Sequence, residues 1–294
     1  MAVMDVRSIS KEIKGEIKRE VDEILLSGKR PPHLVAIMVG DNPASKAYVK
    51  NKVKTCDELG IKSTLLHFES DISQEAIKEV IANLNSDKSV DGFILQLPIP
   101  AHLNSQDLLL EIDPMKDVDG FHPMNFGKMA LGLPSFLPAT PYGIILLIER
   151  LNLETSGKKV AVLGRSDIVG TPMSLLLSRK APYGNCTVTL LHSRSKNIRN
   201  ELLGSDIIVA AIGIPKFVTA DMVKTGAVIF DVGINRVEDE HSKSGSRLVG
   251  DVDTDQVKDI ASWITPVPGG IGLMTIVALM KNTLRAYNME LYGK

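Results

Sequence analysis

Apolar residues recur at intervals of three and four near the start of the chain, at Ile9, Ile13, Ile17, Val21 and Ile24. This spacing predicts a surface helix over residues 8–27 with one buried stripe. The run LVAIMVG, residues 34–40, is short, apolar and closed by glycine, and reads as a buried strand. A helix over 45–59 follows, with Asn42 placed to cap it, Pro43 suited to its first position and Gly60 to its stop. A strand at 63–68, a helix at 73–85, the strand GFILQLPIP at 92–100 and a helix at 105–112 continue the alternation. Alternating strands and helices predict a parallel sheet covered on both sides. Residues 127–143 carry Gly132, Pro134, Pro138 and Pro141 and read as a domain boundary, with a bridging helix over 141–152. The alternation then restarts, with strands at 159–164, 187–192, 207–212 and 228–232 and a helix at 172–179, as in a Rossmann-type unit. The segment ITPVPGGIGLMT, 264–275, has two prolines and three glycines and predicts a shaped loop, neither helix nor strand, before a last helix reaching 289. The expected fold class is therefore α/β in two domains.

One residue breaks the pattern of the 45–59 helix. On a helical wheel Tyr48, Val49, Val53, Cys56 and Leu59 share an apolar face, and Lys46, Lys50, Lys54 and Asp57 share a solvated one. Lys52 lands inside the apolar face. A lysine driven toward a core loses hydration, so its pKa falls unless a partner holds the charge, which makes Lys52 a candidate acid/base group. The alternative is a lysine that snorkels past the edge of that face.

Composition narrows the classes without choosing among them. The chain has 294 residues, enough for about two domains. Its net charge of −1 argues against a general nucleic-acid surface. No apolar run reaches the length of a membrane span. Two cysteines, Cys56 and Cys186, offer neither a disulfide framework nor metal-ligand spacing, so no metal is expected and a reduced, cytoplasmic setting fits.

In parallel α/β sheets, ligands sit beyond the C-terminal ends of the strands. Three polar features fall there: the start of the Lys52 helix, Gln96 near the end of an apolar strand, and DVDG at 117–120. Gln96 either touches a ligand or satisfies backbone groups at the strand end. For at least one of Asp117 and Asp119, turn chemistry is the better reading. In the second half the turn Gly164-Arg165-Ser166-Asp167-Ile168-Val169-Gly170 has serine where a dinucleotide fingerprint has its middle glycine. Such a turn still presents backbone N–H groups to phosphate, and Ser166 could add a hydroxyl. The strand after it ends in His192-Ser193-Arg194 with no acid, and Arg165 lies in the neighbouring loop. A carboxylate there would bind ribose hydroxyls, whereas guanidinium groups suit a 2′-phosphate, so the residues favour NADP.

These stretches together resemble the bifunctional methylenetetrahydrofolate dehydrogenase/methenyltetrahydrofolate cyclohydrolase family. The matching segments are SKAYVKNKVKTCDELGI, GFILQLPIP, KDVDGFHP, VLGRSDIVGTP, TVTLLHSRS, AAIGIPKFV, DVGIN, GDVD and TPVPGGIGLMT, in the family's order and across nearly the whole chain. The resemblance implies a folate-binding catalytic domain over 1–139, joined by the C-terminal helix 275–294, and a Rossmann-type NADP-binding domain over 140–274, with the folate cleft between them. It implies a homodimer, tetrahydrofolate derivatives as substrates, and no nucleic-acid or membrane partner. It implies oxidation of 5,10-methylenetetrahydrofolate with NADP⁺, then hydrolysis of the methenyl product to 10-formyltetrahydrofolate. Lys52 matches the family's catalytic lysine. Tyr48 matches the tyrosine that packs on the folate rings, Gln96 the glutamine that bonds the lysine, and Asp119 the aspartate that binds the pterin. Gly164, Arg165, Ser166, Gly170, His192, Ser193, Arg194 and Ile234 fall in NADP-binding segments, and Gly270 and Ile271 beside the substrate. Two positions depart from the family's usual pattern: Ala139 replaces cysteine and Leu273 replaces proline. Leu273 motivates an alternative, a dehydrogenase with a weak or absent cyclohydrolase step. A non-catalytic NADP-binding regulator would leave Lys52 and Gln96 without a role.

Overall fold

In a computed structural model, residues 3–239, 242 and 245–291 are described. The chain divides into two compact units. The first comprises Glu12–Ala139 with Ile276–Lys294, and the second Thr140–Thr275 with Met1–Lys11. The sequence reading began the first domain at residue 1. Residues before Glu12 group instead with the second unit, because Val3 bridges Ile264 and the Met4 N–H donates to the Ile264 carbonyl.

The elements of the first part are α1 (Val6–Leu26), β1 (His33–Val39), α2 (Pro43–Leu59), β2 (Lys62–Phe68), α3 (Gln74–Ser86), β3 (Gly92–Leu95), α4 (Ser105–Leu110) and α5 (Pro123–Ala130). Strands β2, β1 and β3 form a parallel sheet in that order, with β1 in the middle and buried along its whole length. Val35, Ile37, Val39, Phe93 and Leu95 pack with Ile77, Ile81 and Leu84 of α3 and Leu108 of α4 in one core. β3 is shorter than the strand read at 92–100. Pro98 and Pro100 carry no N–H for a ladder, and after Leu95 only the Gln96 N–H still bonds the Ile37 carbonyl. The segment read as a Gly/Pro-rich boundary contains the end of α5. Pro123 opens this helix and the His122 ring nitrogen Nδ1 accepts from the Met124 N–H, which a reading led by Gly127 and Gly132 overlooked.

The second unit contains α6 (Ala139–Arg150, from its second residue on), β4 (Lys159–Leu163), α7 (Gly170–Ser178), β5 (Thr187–Leu191), α8 (Ile198–Leu203), β6 (Ile207–Ala210) and a 3-10 turn at Ala220–Met222. It continues through β7 (Val228–Asp231), β8 (Asn235–Glu238), β9 (Ser246–Val249), α9 (Thr254–Val257) and β10 (Trp263–Ile264). α10 (Ile271–Tyr287) is the last regular element among the described residues. Five parallel strands run in the order β10-β7-β6-β4-β5, while β8 and β9 make a separate antiparallel pair. Leu163, Leu191, Ile208, Ala210, Ile229 and Ile264 fill the core of the five-stranded sheet. The expected loop at 264–275 is narrower than its composition implied. Ile264 pairs with Ile229 as a sheet strand, and α10 already begins at Ile271. The last three residues of the expected helix 275–294 lie outside the described residues.

Candidate active site

The first unit places Tyr48, Lys52, Gln96 and Asp119 at the C-terminal side of its sheet. α2 forms as its end signals dictate. Asn42 Oδ1 accepts from the N–H groups of Ala44 and Ser45, Pro43 takes the first position, and Gly60 ends the helix in the left-handed conformation at φ 77°. The buried face holds Val49, Lys52, Cys56 and Leu59, while Lys46, Lys50, Lys54 and Asp57 are exposed. Each buried aliphatic side chain contributes roughly 1.5–3 kcal/mol. Val49 and Leu59 thus offset the cost of carrying Lys52 inward.

Lys52 is 6% exposed, so it does not snorkel. Its Nζ donates to Gln96 Oε1 at 3.1 Å, and lies 5.6 Å from the centre of the Tyr48 ring, within reach of a cation–π contact. Gln96 Nε2 donates to its neighbour's carbonyl, Leu97 O, at 2.8 Å, which fixes the amide with its oxygen toward the lysine. An ammonium has three protons to place, and one acceptor serves it among the described residues. Burial accordingly pulls the Lys52 pKa below the ordinary lysine range, against the opposing charge of Asp119. Burial likewise pushes the Asp119 carboxyl up, against the charge of Lys52. Both members of the pair are driven toward their neutral forms, the condition in which a proton can be moved between water and side chain. One turn further along α2, burial raises the Cys56 thiol to about 12, so it stays protonated, 3.5 Å from Met280 Sδ.

The DVDG turn divides the labour of its two acids. Asp117 is the structural one. Its Oδ1 accepts from the Phe121 N–H, and its Oδ2 from the His122 N–H and Asn125 Nδ2, at 2.8–3.2 Å. Burial, outweighing these bonds, lifts its pKa to about 7. Asn282 on α10, fully buried, donates from Nδ2 to the carbonyls of Val118 and Leu137, both at 2.9 Å, and so holds the backbone on one side of Asp119. The sequence reading did not single out Asn282. The signal available was the one that exposed Lys52, a polar residue on the buried face of an apolar helix.

The second unit gathers the other candidates around β4. Strand order reverses there, with β5 on one side of β4 and β6 on the other, and the Gly164–Gly170 turn leaves its C-terminal end. Gly164 has φ 115°, and a Cβ on it would overlap the Ala211 carbonyl; a Cβ on Gly170 would overlap the Gly164 carbonyl. Ser166 is exposed, and its Oγ accepts from the Val169 N–H at 3.2 Å and the Gly170 N–H at 3.5 Å. The hydroxyl oxygen therefore organises the turn. At the end of β5, His192 Nδ1 accepts from the Arg194 N–H, and the His192 N–H donates to Ser195 Oγ. This tight turn leaves Ser193 and Arg194 exposed. Arg165 is exposed as well, and neither arginine forms an ion pair among the described residues. Ile234 is 52% exposed beyond β7, whereas Gly270 and Ile271 are buried where α10 starts. The Leu273 N–H donates to the Gly270 carbonyl at 3.0 Å, a bond that proline could not make. Ala139 is buried at the start of α6. No group of three or more metal-ligating side chains occurs among the described residues, and no helix there is long and apolar enough to cross a membrane.

Comparison with known proteins accounts for both units. The family described as "Tetrahydrofolate dehydrogenase/cyclohydrolase, catalytic domain" matches residues 4–119, and its "NAD(P)-binding domain" counterpart matches residues 138–291. A relative from Azobacteroides pseudotrichonymphae named "Bifunctional protein FolD" is 51% identical over 293 residues, covering 100% of each chain. The crystal structure of the bifunctional FolD enzyme of Campylobacter jejuni superposes with a TM-score of 0.92 at 41% identity, covering 99% of this chain and 100% of that one. The Trypanosoma brucei enzyme, solved with NADP cofactor and an inhibitor, has a TM-score of 0.92 at 34% identity, covering 99% and 98%. The chain belongs to the tetrahydrofolate dehydrogenase/cyclohydrolase family.

Proposed function

We propose that the protein oxidises 5,10-methylenetetrahydrofolate to 5,10-methenyltetrahydrofolate with NADP⁺ and then hydrolyses the methenyl product to 10-formyltetrahydrofolate. The observation that carries this reading is the buried Lys52 amine held against Gln96 Oε1 beside Asp119.

The residues of the second unit fit NADP. The glycine turn has no room for side chains at Gly164 and Gly170, the end of β5 carries no carboxylate, and Arg165 and Arg194 are exposed without ion-pair partners among the described residues. When bound, NADP⁺ supplies the hydride acceptor. Arg194 and Arg165 would hold the 2′-phosphate, with Ser193 and His192 shaping the turn and Ile234 offering an apolar contact. Hydride transfer needs no acid or base, so what the protein contributes to that step is orientation.

The methenyl carbon is cationic, and water adds to it. Neutral Lys52 accepts a proton from the attacking water as the C–O bond forms. The bond from this carbon to ring nitrogen N5 then breaks, N5 takes up a proton, and the formyl group stays on N10, with one proton released overall. The substrate's own charge lowers the Lys52 pKa further. Gln96 keeps the amine in place, Tyr48 stacks on the folate rings, and Asp119 binds the pterin's N–H donors. Gly270 and Ile271 are the further substrate-binding residues of this reading.

An assay of purified protein with 5,10-methylenetetrahydrofolate and NADP⁺, following reduced cofactor and methenyl absorbance separately, tests this. Wild type yields reduced NADP without lasting methenyl, and Lys52→Met lets methenyl accumulate. Full methenyl turnover in Lys52→Met would sink the assignment of Lys52. A homodimer is supported by β5 standing at the edge of its sheet among the described residues and is tested by sedimentation equilibrium. A cytoplasmic location is supported by two buried free thiols and is tested by cell fractionation.

A further inference from the structure

Two motifs of the second unit, DVGIN at 231–235 and GDVD at 250–253, interlock through acids that have no part in the chemistry above. Asp231 Oδ1 accepts from the N–H groups of Gly233 and Asp251, and its Oδ2 from the Val252 N–H, at 2.9–3.0 Å. Asp251 Oδ2 accepts from the N–H groups of Ile212 at 2.7 Å and Gly213 at 3.0 Å, and its Oδ1 from Asn235 Nδ2 at 2.9 Å. Each motif leaves out a side chain where the other inserts its carboxylate. A Cβ at Gly233 would overlap the Asp251 carboxylate, and one at Gly250 would overlap that of Asp231. Both acids are buried, Asp251 completely. Burial, with the charge of Asp251 adding to it, raises Asp231 to about 7.

The groups that Asp251 collects lie at one place in the sheet. Ile212 and Gly213 follow the end of β6, and Asn235 follows the end of β7. The Ala211 N–H donates to the Leu163 carbonyl, and the Ala211 carbonyl sits where a Cβ of Gly164 would be, so the turn after β6 lies against the glycine turn. Ile234, exposed beside Asn235, is on the second of the two segments.

We propose that Asp251 is a positioning residue for the dehydrogenase step: its carboxylate ties the turn at Ile212–Gly213 to Asn235 and thereby sets the wall of the dinucleotide site beside Gly164. The carboxylate is needed because it offers acceptors on both oxygens. An amide in its place has one oxygen and turns an NH₂ toward backbone or side-chain donors. This proposal rests on the dehydrogenase reading, and the two activities of the enzyme separate its failure from a failure of that reading. Cyclohydrolase turnover of supplied methenyltetrahydrofolate uses no nucleotide and reports whether the protein as a whole is intact.

The experiment compares wild type, Asp251→Asn and Asn235→Ala for NADP⁺ affinity by calorimetry, for dehydrogenase kcat and KM, and for cyclohydrolase kcat. Asp251→Asn is expected to weaken NADP⁺ binding or slow hydride transfer by roughly 10- to 100-fold, with cyclohydrolase kcat within about twofold of wild type. Asn235→Ala removes a single donor from a partly exposed side chain and is expected to move the same ratio in the same direction by less. If Asp251→Asn does not fold, the ratio is read from Asn235→Ala alone. A parallel loss of both activities, or no change in either, overturns the proposal. Absence of NADP-dependent oxidation in wild type would overturn the dehydrogenase reading instead.

Discussion

Each unit places its candidate residues where a parallel sheet reverses its strand order, β2-β1-β3 in the first and β5-β4-β6 in the second. The chemistry built at the two reversals is opposite in kind. After β1 the chain enters a helix whose buried face presents side chains, with Lys52 held by Gln96 across from the end of β3. After β4 it enters a turn that excludes side chains at Gly164 and Gly170 and ties its own N–H groups to Ser166. A proton must be accepted by a group whose pKa can be tuned, and burial on a rigid helix does that. A nucleotide needs close approach and fixed charge, and a glycine turn with exposed arginines does that. One topology thus carries two different arrangements, and the residues at the first turn decide which.

The widest separation between the two reversals is expected from Lys52→Met. Cyclohydrolase turnover should fall by roughly 10²- to 10⁴-fold while NADP⁺ affinity is unchanged. Because an apolar side chain of similar length replaces a buried amine, the thermal midpoint should hold or rise. A clear fall in the midpoint, read by calorimetry, would mean that Lys52 serves the fold rather than the chemistry. Gly164→Ala makes the converse cut. Strain at φ 115° and overlap with Ala211 should weaken NADP⁺ binding on the order of 100-fold, with hydrolysis of supplied methenyl substrate preserved. Loss of that hydrolysis as well would break the independence of the two sites.

Smaller changes sharpen the picture inside each unit. Arg194→Ala should raise KM for NADP⁺ about tenfold and leave KM for NAD⁺ nearly unchanged, as steady-state kinetics with both cofactors would reveal. Equal effects on both would remove Arg194 from the 2′-phosphate. Gln96→Glu puts a negative charge against the Lys52 amine and favours its ammonium form. In wild type, hydrolysis should rise with pH through a Lys52 pKa below the ordinary lysine value. In Gln96→Glu that rise should move upward by about one pH unit. A shift downward would contradict a lysine acting as base.

How much of this the sequence revealed depended on the range of the interactions. α2 was legible to within two residues because its signals are local: Asn42, Pro43, Gly60 and the misplaced Lys52 on a wheel. α5 was not, because Gly127 and Gly132 near its end resemble loop composition while its start signals, His122 and Pro123, lie outside the Gly/Pro-rich stretch. β10 escaped because two residues between prolines and polar groups carry no periodicity, and pairing with β7 alone makes them a strand. In the first site, Lys52, Gln96 and Asp119 could be named one by one, but the two bonds that orient the Gln96 amide arise only in the folded chain. Ser166 shows the same limit, since the bonds that its hydroxyl oxygen accepts from the Val169 and Gly170 N–H groups arise only in the folded turn. The Asp251 contacts join residues 16 to 39 positions apart, beyond any local pattern.

The first unit is completed by Ile276–Lys294, and Asn282 is the residue that ties the carbonyl of Val118, next to Asp119, to that of Leu137. On a ribosome this has a cost in time. After Ala139 has been made, the whole of Thr140–Thr275 must be synthesised before the closing helix exists. At roughly 5–20 residues per second that delay is about 7–27 s, during which Asn282 is not there to hold the carbonyls of Val118 and Leu137. The second unit needs only residues already made by Thr275, so it is free to fold first although most of it comes later in the chain. Nascent protein should therefore acquire nucleotide binding before it acquires the ability to hydrolyse methenyltetrahydrofolate.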